Sequence, residues 1–192
     1  GVGIDLGLKD IVVLSTGEKV AARQFFRKTE SRLAMAQRAN KKRLTTALHA
    51  KVAAKRRDFL HKLSSRLVRD WDLIVVGDVS SARLVKTCMA KSVQDAGWSA
   101  LRGMLRYKAL AHGATYREVS ERFSTQTCSE CGSLGGPQGR KGLVVREWIC
   151  AACGVVHDRD TNSAQIHLRR GHPTPTGISA IQAGRMSTLR SS

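Results

Sequence analysis

The chain has 192 residues, enough for one medium-sized domain with a small appendage, and 33 Lys and Arg against 15 Asp and Glu leave a net charge of +18. A surplus of that size repels itself in a compact state, so a polyanionic partner is expected rather than a neutral one. The apolar runs, such as Leu73-Ile-Val-Val76, are far short of the ~18 residues of a membrane span, and no signal peptide is seen, which excludes a membrane-embedded class and points to the cytoplasm.

Val2-Gly-Ile-Asp-Leu6 alternates and ends at Gly7, which predicts a strand carrying Asp5. Ile11–Leu14 and Lys19–Ala22 continue as a meander around the turn Thr16-Gly17-Glu18. The chain enters this first strand at Gly1, without Met, which suggests a piece of a longer protein. From Arg27 to Arg69 the pattern becomes helical and basic, with no Pro or Gly. Leu33, Ala36, Leu44, Ala47 and Leu48 make one apolar stripe, interrupted at Asn40, and Phe59, Leu63 and Leu67 make another, so two helices or one broken helix are expected. Arg38, Lys41, Lys42, Arg43, Lys55, Arg56 and Arg57 form a cationic surface with few acids to pair with, suited to a phosphate backbone.

Leu73–Val76 reads as a buried central strand, ending in Gly77-Asp78. Gly97 to Ala111, with Trp98, Leu101 and Leu105, predicts a helix stopped by Gly113, and 115–120 another strand. Cys88 is a lone thiol without a surrounding motif. The last helix is expected over 160–170, and 172–192 as a disordered tail. The order of elements predicts an α/β or α+β layered architecture.

Cys128-Ser-Glu-Cys131 and Cys150-Ala-Ala-Cys153 present two pairs of thiolates at the spacing of a tetrahedral zinc site. Gly132 and Gly154 follow the two knuckles and tolerate tight turns. Four sulfur ligands close the coordination sphere, so Zn2+ is expected to be structural. Between the knuckles lie a basic loop with Arg140 and Lys141 and a strand over 144–149. Asp5, Asp78, Asp158 and Asp160 are carboxylates at two strand ends and one helix start, and such groups can converge on hard cations to cut phosphodiesters. Asp158 and Asp160 alone read equally well as first-turn residues stabilised by the helix dipole.

The motifs taken together are Gly-Ile-Asp-Leu-Gly, Asp58-Phe-Leu-His-Lys-Leu-Ser, Leu-Ile-Val-Val-x-Asp, Gly97-Trp98 with Tyr107-Lys108, Ser-Thr-Gln-Thr-Cys-Ser-Glu-Cys-Gly and Asp-Arg-Asp-x-Asn-Ser-Ala. This order resembles the C-terminal half of TnpB (OrfB), a transposon-encoded family, over nearly all of residues 1–170, and the nuclease part of type V CRISPR effectors. The resemblance implies an RNase H-like (RuvC-type) mixed sheet flanked by helices, with an inserted zinc ribbon. The implied boundaries are a core over 1–123 with a basic helical insertion at 27–70, a ribbon over 124–156 and a final helix over 157–171. It further implies Mg2+-dependent, RNA-guided DNA cleavage, with DNA and a guide RNA as partners in a prokaryotic cytoplasm.

By the same resemblance Asp5 matches the first catalytic carboxylate, Asp160 the third, and Asp158 neighbours the site. The second motif of the family carries a Glu where this chain has Gly77. Asp78 follows, and on a regular strand its side chain points to the opposite face. Impaired cleavage is therefore expected. A larger N-terminal part of the family has no counterpart here, whether supplied in cis or lost. Alternatives are a non-cleaving RNA-guided DNA-binding protein or repressor, an insertion-sequence relic, and a zinc-ribbon module of translation or transcription.

Overall fold

A computed structural model describes residues 1–78, 97–142 and 144–172. Cys88, the expected tail beyond His172, and the side chains of Arg140 and Lys141 lie outside the described residues. The first strands are β1 (Val2–Asp5), β2 (Asp10–Leu14) and β3 (Lys19–Ala21). A 3-10 turn at Arg27–Thr29 leads into α1 (Glu30–Arg38) and α2 (Lys42–Asp70). Then come β4 (Leu73–Gly77), α3 (Trp98–His112) and β5 (Thr115–Val119). The ribbon strands β6 (Glu147–Ile149) and β7 (Val156–Asp158) precede α4 (Arg159–Gly171).

The five-stranded sheet has the order β3-β2-β1-β4-β5, antiparallel through the opening meander and parallel from β1 to β5. Its two faces separate by residue parity, because successive strand side chains alternate. Val2 and Ile4 of β1, with Ile74 and Val76 of β4, join Leu60, Leu63 and Leu67 of α2 and Leu101 and Leu105 of α3 in the main core. Each of these leucines is buried and contributes about 1.5–3 kcal/mol relative to an exposed one.

The intervening residues face α4. Gly3 is required there, since a Cβ at that position would collide with the Ala164 carbonyl. That contact lets α4 lie directly on β1 and β4.

The sequence motifs around α2 and α3 turn out to be joints of this packing. Trp98 Nε1 donates to the Gly7 carbonyl at 3.2 Å, pinning the start of α3 to the turn after β1. Lys108 Nζ donates to the His61 carbonyl and to the Ser64 and Ser65 hydroxyls, each at 2.8 Å, and ties α3 to α2.

The basic span is two helices, broken where Asn40 takes φ 51°. Leu33, Ala36 and Leu48 form a small separate core with Phe26, whereas Leu44 and Ala47 are exposed. The stripe on the first half of α2 thus serves only its pairing with α1. The second half, through Leu60, Leu63 and Leu67, reaches the sheet. Among the described residues no helix is long and apolar enough to cross a membrane.

Candidate active site and metal centre

Asp5 ends β1 on the α4 face, where Ser163 donates to its Oδ1 at 3.1 Å. The same serine hydroxyl lies 2.7 Å from that of Ser124. Burial, followed by the negative charge of Asp160, drives the Asp5 carboxyl up to about 7. The Ser163 hydroxyl and Arg159 oppose this, while the charge of Glu121 adds to it. Asp160 and Glu121 thus both act on Asp5, whereas the Glu121 carboxyl itself is raised by burial and by Asp78 and lowered by Arg102.

Asp160 sits in the first turn of α4, where a negative charge suits the helix dipole. It pairs with Arg159 at 2.8 Å and with Arg146 at 3.2 Å. Asp158 is the N-cap of α4. Its Oδ1 accepts from the Thr161 amide at 2.9 Å and the Thr161 hydroxyl at 2.8 Å, and its Oδ2 pairs with Lys19 at 2.7 Å. Burial raises its pKa, but the hydrogen bonds from Lys19 and Thr161 outweigh burial and hold the carboxyl below its usual range. Asp158 thus has a structural assignment already.

Gly77 closes β4 in regular register, paired with Val119 of β5 without a bulge. The space that a side chain would occupy at Gly77 is filled by His167. A Cβ there would lie 2.5 Å from Cε1 and 2.9 Å from Nε2 of that ring. The ring is fully buried and its Nδ1 lies 2.9 Å from the Ile4 carbonyl, so it cannot swing aside cheaply. Its Nε2 has no hydrogen-bond partner among the described residues. Burial keeps its pKa below the usual histidine value, with the Ile4 carbonyl working against that. Asp78, just beyond β4, is exposed and accepts the Glu121 amide on Oδ1 at 3.0 Å.

Ser163, His167 and Glu121 were not singled out from the sequence. Glu121 had one usable signal, as an acidic residue just past a strand end, like Asp5 and Asp78. His167 and Ser163 had none, because their roles depend on which strand α4 covers.

The ribbon brings the four cysteine sulfurs within 4.8 Å of one another. Cys128 and Cys153 Sγ are 3.7 Å apart, and Cys131 and Cys150 Sγ 3.6 Å. A tetrahedron with metal–sulfur bonds of about 2.3 Å has edges of about 3.8 Å, so the tetrad fits a metal ion. Gly132 and Gly154 take φ 78° and 75° and close the knuckles through their amides onto the Cys128 and Cys150 carbonyls. His157 Nε2 approaches Cys128 Sγ at 3.0 Å, and its ring packs on Trp148 at 4.8 Å between centroids. Strand β6 is shorter than the expected 144–149, because it pairs only with the three residues of β7. β7 runs directly into α4, so ribbon and helix are one continuous path.

Asn162 locks that path. Its Oδ1 accepts the Ser129 amide at 2.8 Å, and its Nδ2 donates to the Thr127 and Ser124 carbonyls at 2.8 and 3.2 Å. The Asn of the Asp-x-Asn motif is thus a buried joint between a cysteine knuckle and α4.

Of the expected phosphate-binding residues, Arg38, Lys41, Lys42, Arg43, Lys55 and Arg57 are exposed. Arg56 is half-buried, with its side chain lying against Gly97.

A mixed sheet in this order, an acidic residue at the end of its first strand beneath a closing helix, and a four-cysteine ribbon leading into that helix define an RNase H-like, RuvC-type fold with an inserted zinc ribbon. Residues 1–87 match the OrfB family model, described as "Probable transposase", and residues 98–166 match the "Cas12f1-like, TNB domain". The chain belongs to the TnpB (OrfB) family of transposon-encoded proteins.

It is 41% identical to a "Putative RNA-guided DNA endonuclease" of Streptomyces pristinaespiralis, over 88% of this chain and 45% of that protein. It is 26% identical to the "Putative RNA-guided DNA endonuclease InsQ" of Escherichia coli, over 96% of this chain and 52% of that protein. The chain therefore spans about half the length of these curated relatives. Among solved structures, the Cas12f1 chain of a complex with sgRNA and target DNA superposes with a TM-score of 0.67 at 17% identity, over 90% of this chain and 49% of that one.

Proposed function

We propose that the complete protein is an RNA-guided DNA endonuclease that hydrolyses phosphodiesters at a divalent-cation site built on Asp5 and Asp160. The observation that supports it most is the setting of Asp5. Its carboxyl is half-buried and crowded by other acids, with the Ser163 hydroxyl in direct contact. A hard cation is a group that offsets such crowding, and carboxylate oxygens are the donors it takes. Magnesium ions bound there would activate a water and stabilise the leaving oxygen. Ser163 orients Asp5, and the first turn of α4 carries Asp160 to the same end of the sheet.

The tetrad's ion is zinc on this reading, since a closed four-thiolate site suits Zn2+ and leaves no position for substrate. The exposed cations of α1 and α2 track the phosphates of guide RNA or target DNA. Cysteines at metal-binding spacing and a nucleic-acid partner are consistent with a cytoplasmic location on this reading. Gly77 favours a second reading, in which the protein binds guided DNA without cutting it.

The test is to purify the complete protein with its co-expressed RNA and incubate it with target plasmid and Mg2+. Cutting that Asp160→Ala abolishes supports the nuclease. Guide-dependent binding without cutting supports the second reading. Absence of both defeats the assignment.

A further inference from the structure

Gly77 leaves the end of β4 without a carboxylate, and His167 blocks its simple return. The adjacent strand carries one. β4 and β5 are parallel and in register to Gly77 and Val119, and the Asp78 amide extends the ladder onto the Val119 carbonyl at 2.8 Å. Paired residues of parallel strands share a face, so Val119 lies on the α4 side with Gly77 and Asp5. Arg117, one step earlier on that face, confirms the parity by donating to the Gly171 carbonyl of α4 at 3.0 Å.

Glu121 lies two residues beyond Val119, just past the last paired residue of β5. Two bonds position it: its own amide donates to Asp78 Oδ1, and Arg170 of α4 donates to the Ser120 carbonyl. Asp158 and Asp160 are tied to basic partners, whereas the Glu121 carboxylate forms no ion pair among the described residues.

We infer that Glu121, at the end of β5, supplies the carboxylate that β4 lacks and completes a divalent-cation site with Asp5 and Asp160. Its charge adds to the crowding at Asp5, while the Glu121 carboxyl itself is raised by burial and by Asp78 against the pull of Arg102. Asp78 is then a positioning residue, whose Oδ1 holds the Glu121 backbone over the strand end. The inference rests on the endonuclease reading and departs from it in one respect: the change at Gly77 relocates the second carboxylate instead of removing it.

Mn2+ is the probe. Binding to the zinc-loaded chain is followed by the electron paramagnetic resonance of free Mn2+, for wild type, Glu121→Gln, Asp5→Asn, Asp78→Asn and the remote control Asp70→Asn. Melting curves and retained zinc report folding, and Glu121→Asp provides a second, milder variant. Glu121→Gln and Asp5→Asn should each weaken Mn2+ at least about tenfold, Glu121→Asp less, and Asp70→Asn not at all. DNA cutting by the complete protein should fall with Glu121→Gln as it does with Asp160→Ala. Wild-type affinity in Glu121→Gln, with loss in Asp5→Asn, overturns this inference and leaves the endonuclease reading standing. Loss in Asp78→Asn alone also overturns it. Wild-type affinity in Asp5→Asn removes the cation site, and both readings fall.

Discussion

Asp5 shows how much a single carboxyl can cost a fold and why the cost is retained. Its pKa rises from 3.8 to about 7, first through burial and then through Asp160. The folded state therefore holds a proton that the unfolded chain has already released, so stability falls as pH rises through that window. The full effect is about 4 kcal/mol at pH above 7 in the absence of divalent cations. Asp5→Asn keeps the shape and removes the charge. Its melting temperature in Mg2+-free buffer should exceed that of wild type at pH 8, and the gap should close near pH 4. Added Mg2+ should raise the wild type alone. Equal melting temperatures at both pH values would show that Asp5 is not crowded as described.

At the scale of elements, α4 does three jobs through residues one or two apart. Asp158 caps it, Asp160 pairs with Arg146 ahead of the ribbon strand β6, and Asn162 fastens it to the ribbon. The cap is also an ion pair with Lys19 on β3, so it joins helix, ribbon and sheet edge. Asp158→Ala should cost about 1–2 kcal/mol by denaturant melting, and Asp158→Asn less, because the amide oxygen can still accept from Thr161. Since the folded carboxyl is held below its ordinary pKa, this contribution is present above that ordinary value. It is lost as pH falls through the depressed one. A cost as large in Asp158→Asn as in Asp158→Ala would assign the stability to Lys19 instead of the cap.

For the whole molecule, the ribbon and the sheet are coupled through β7 and Asn162, so metal removal should not stay local. Trp148 is only 8% exposed and stacks on His157, whose Nε2 faces Cys128. A metal chelator should red-shift and quench the tryptophan emission as the tetrad opens, since binding of an ion there supplies much of the ribbon's folding free energy. Amide exchange in the first turns of α4 should rise with it. Protection of α4 that survives chelation would mean that sheet packing alone holds the helix.

The cysteine tetrad, the basic helices and the order of strands and helices were all legible in the sequence. These features are local: a knuckle, a cap or an apolar stripe is written in neighbouring residues, whose spacing constrains their geometry directly. The break at Asn40 was legible for the same reason. What the tertiary structure decided are the contacts across the sheet. Gly77 reads in sequence as a lost carboxylate. In space its vacancy is filled by His167 from a helix far along the chain, and Glu121 stands over the end of the adjacent strand. Those neighbours follow from the parallel crossovers that set β1, β4 and β5 side by side, a pairing that residue spacing along the chain does not encode.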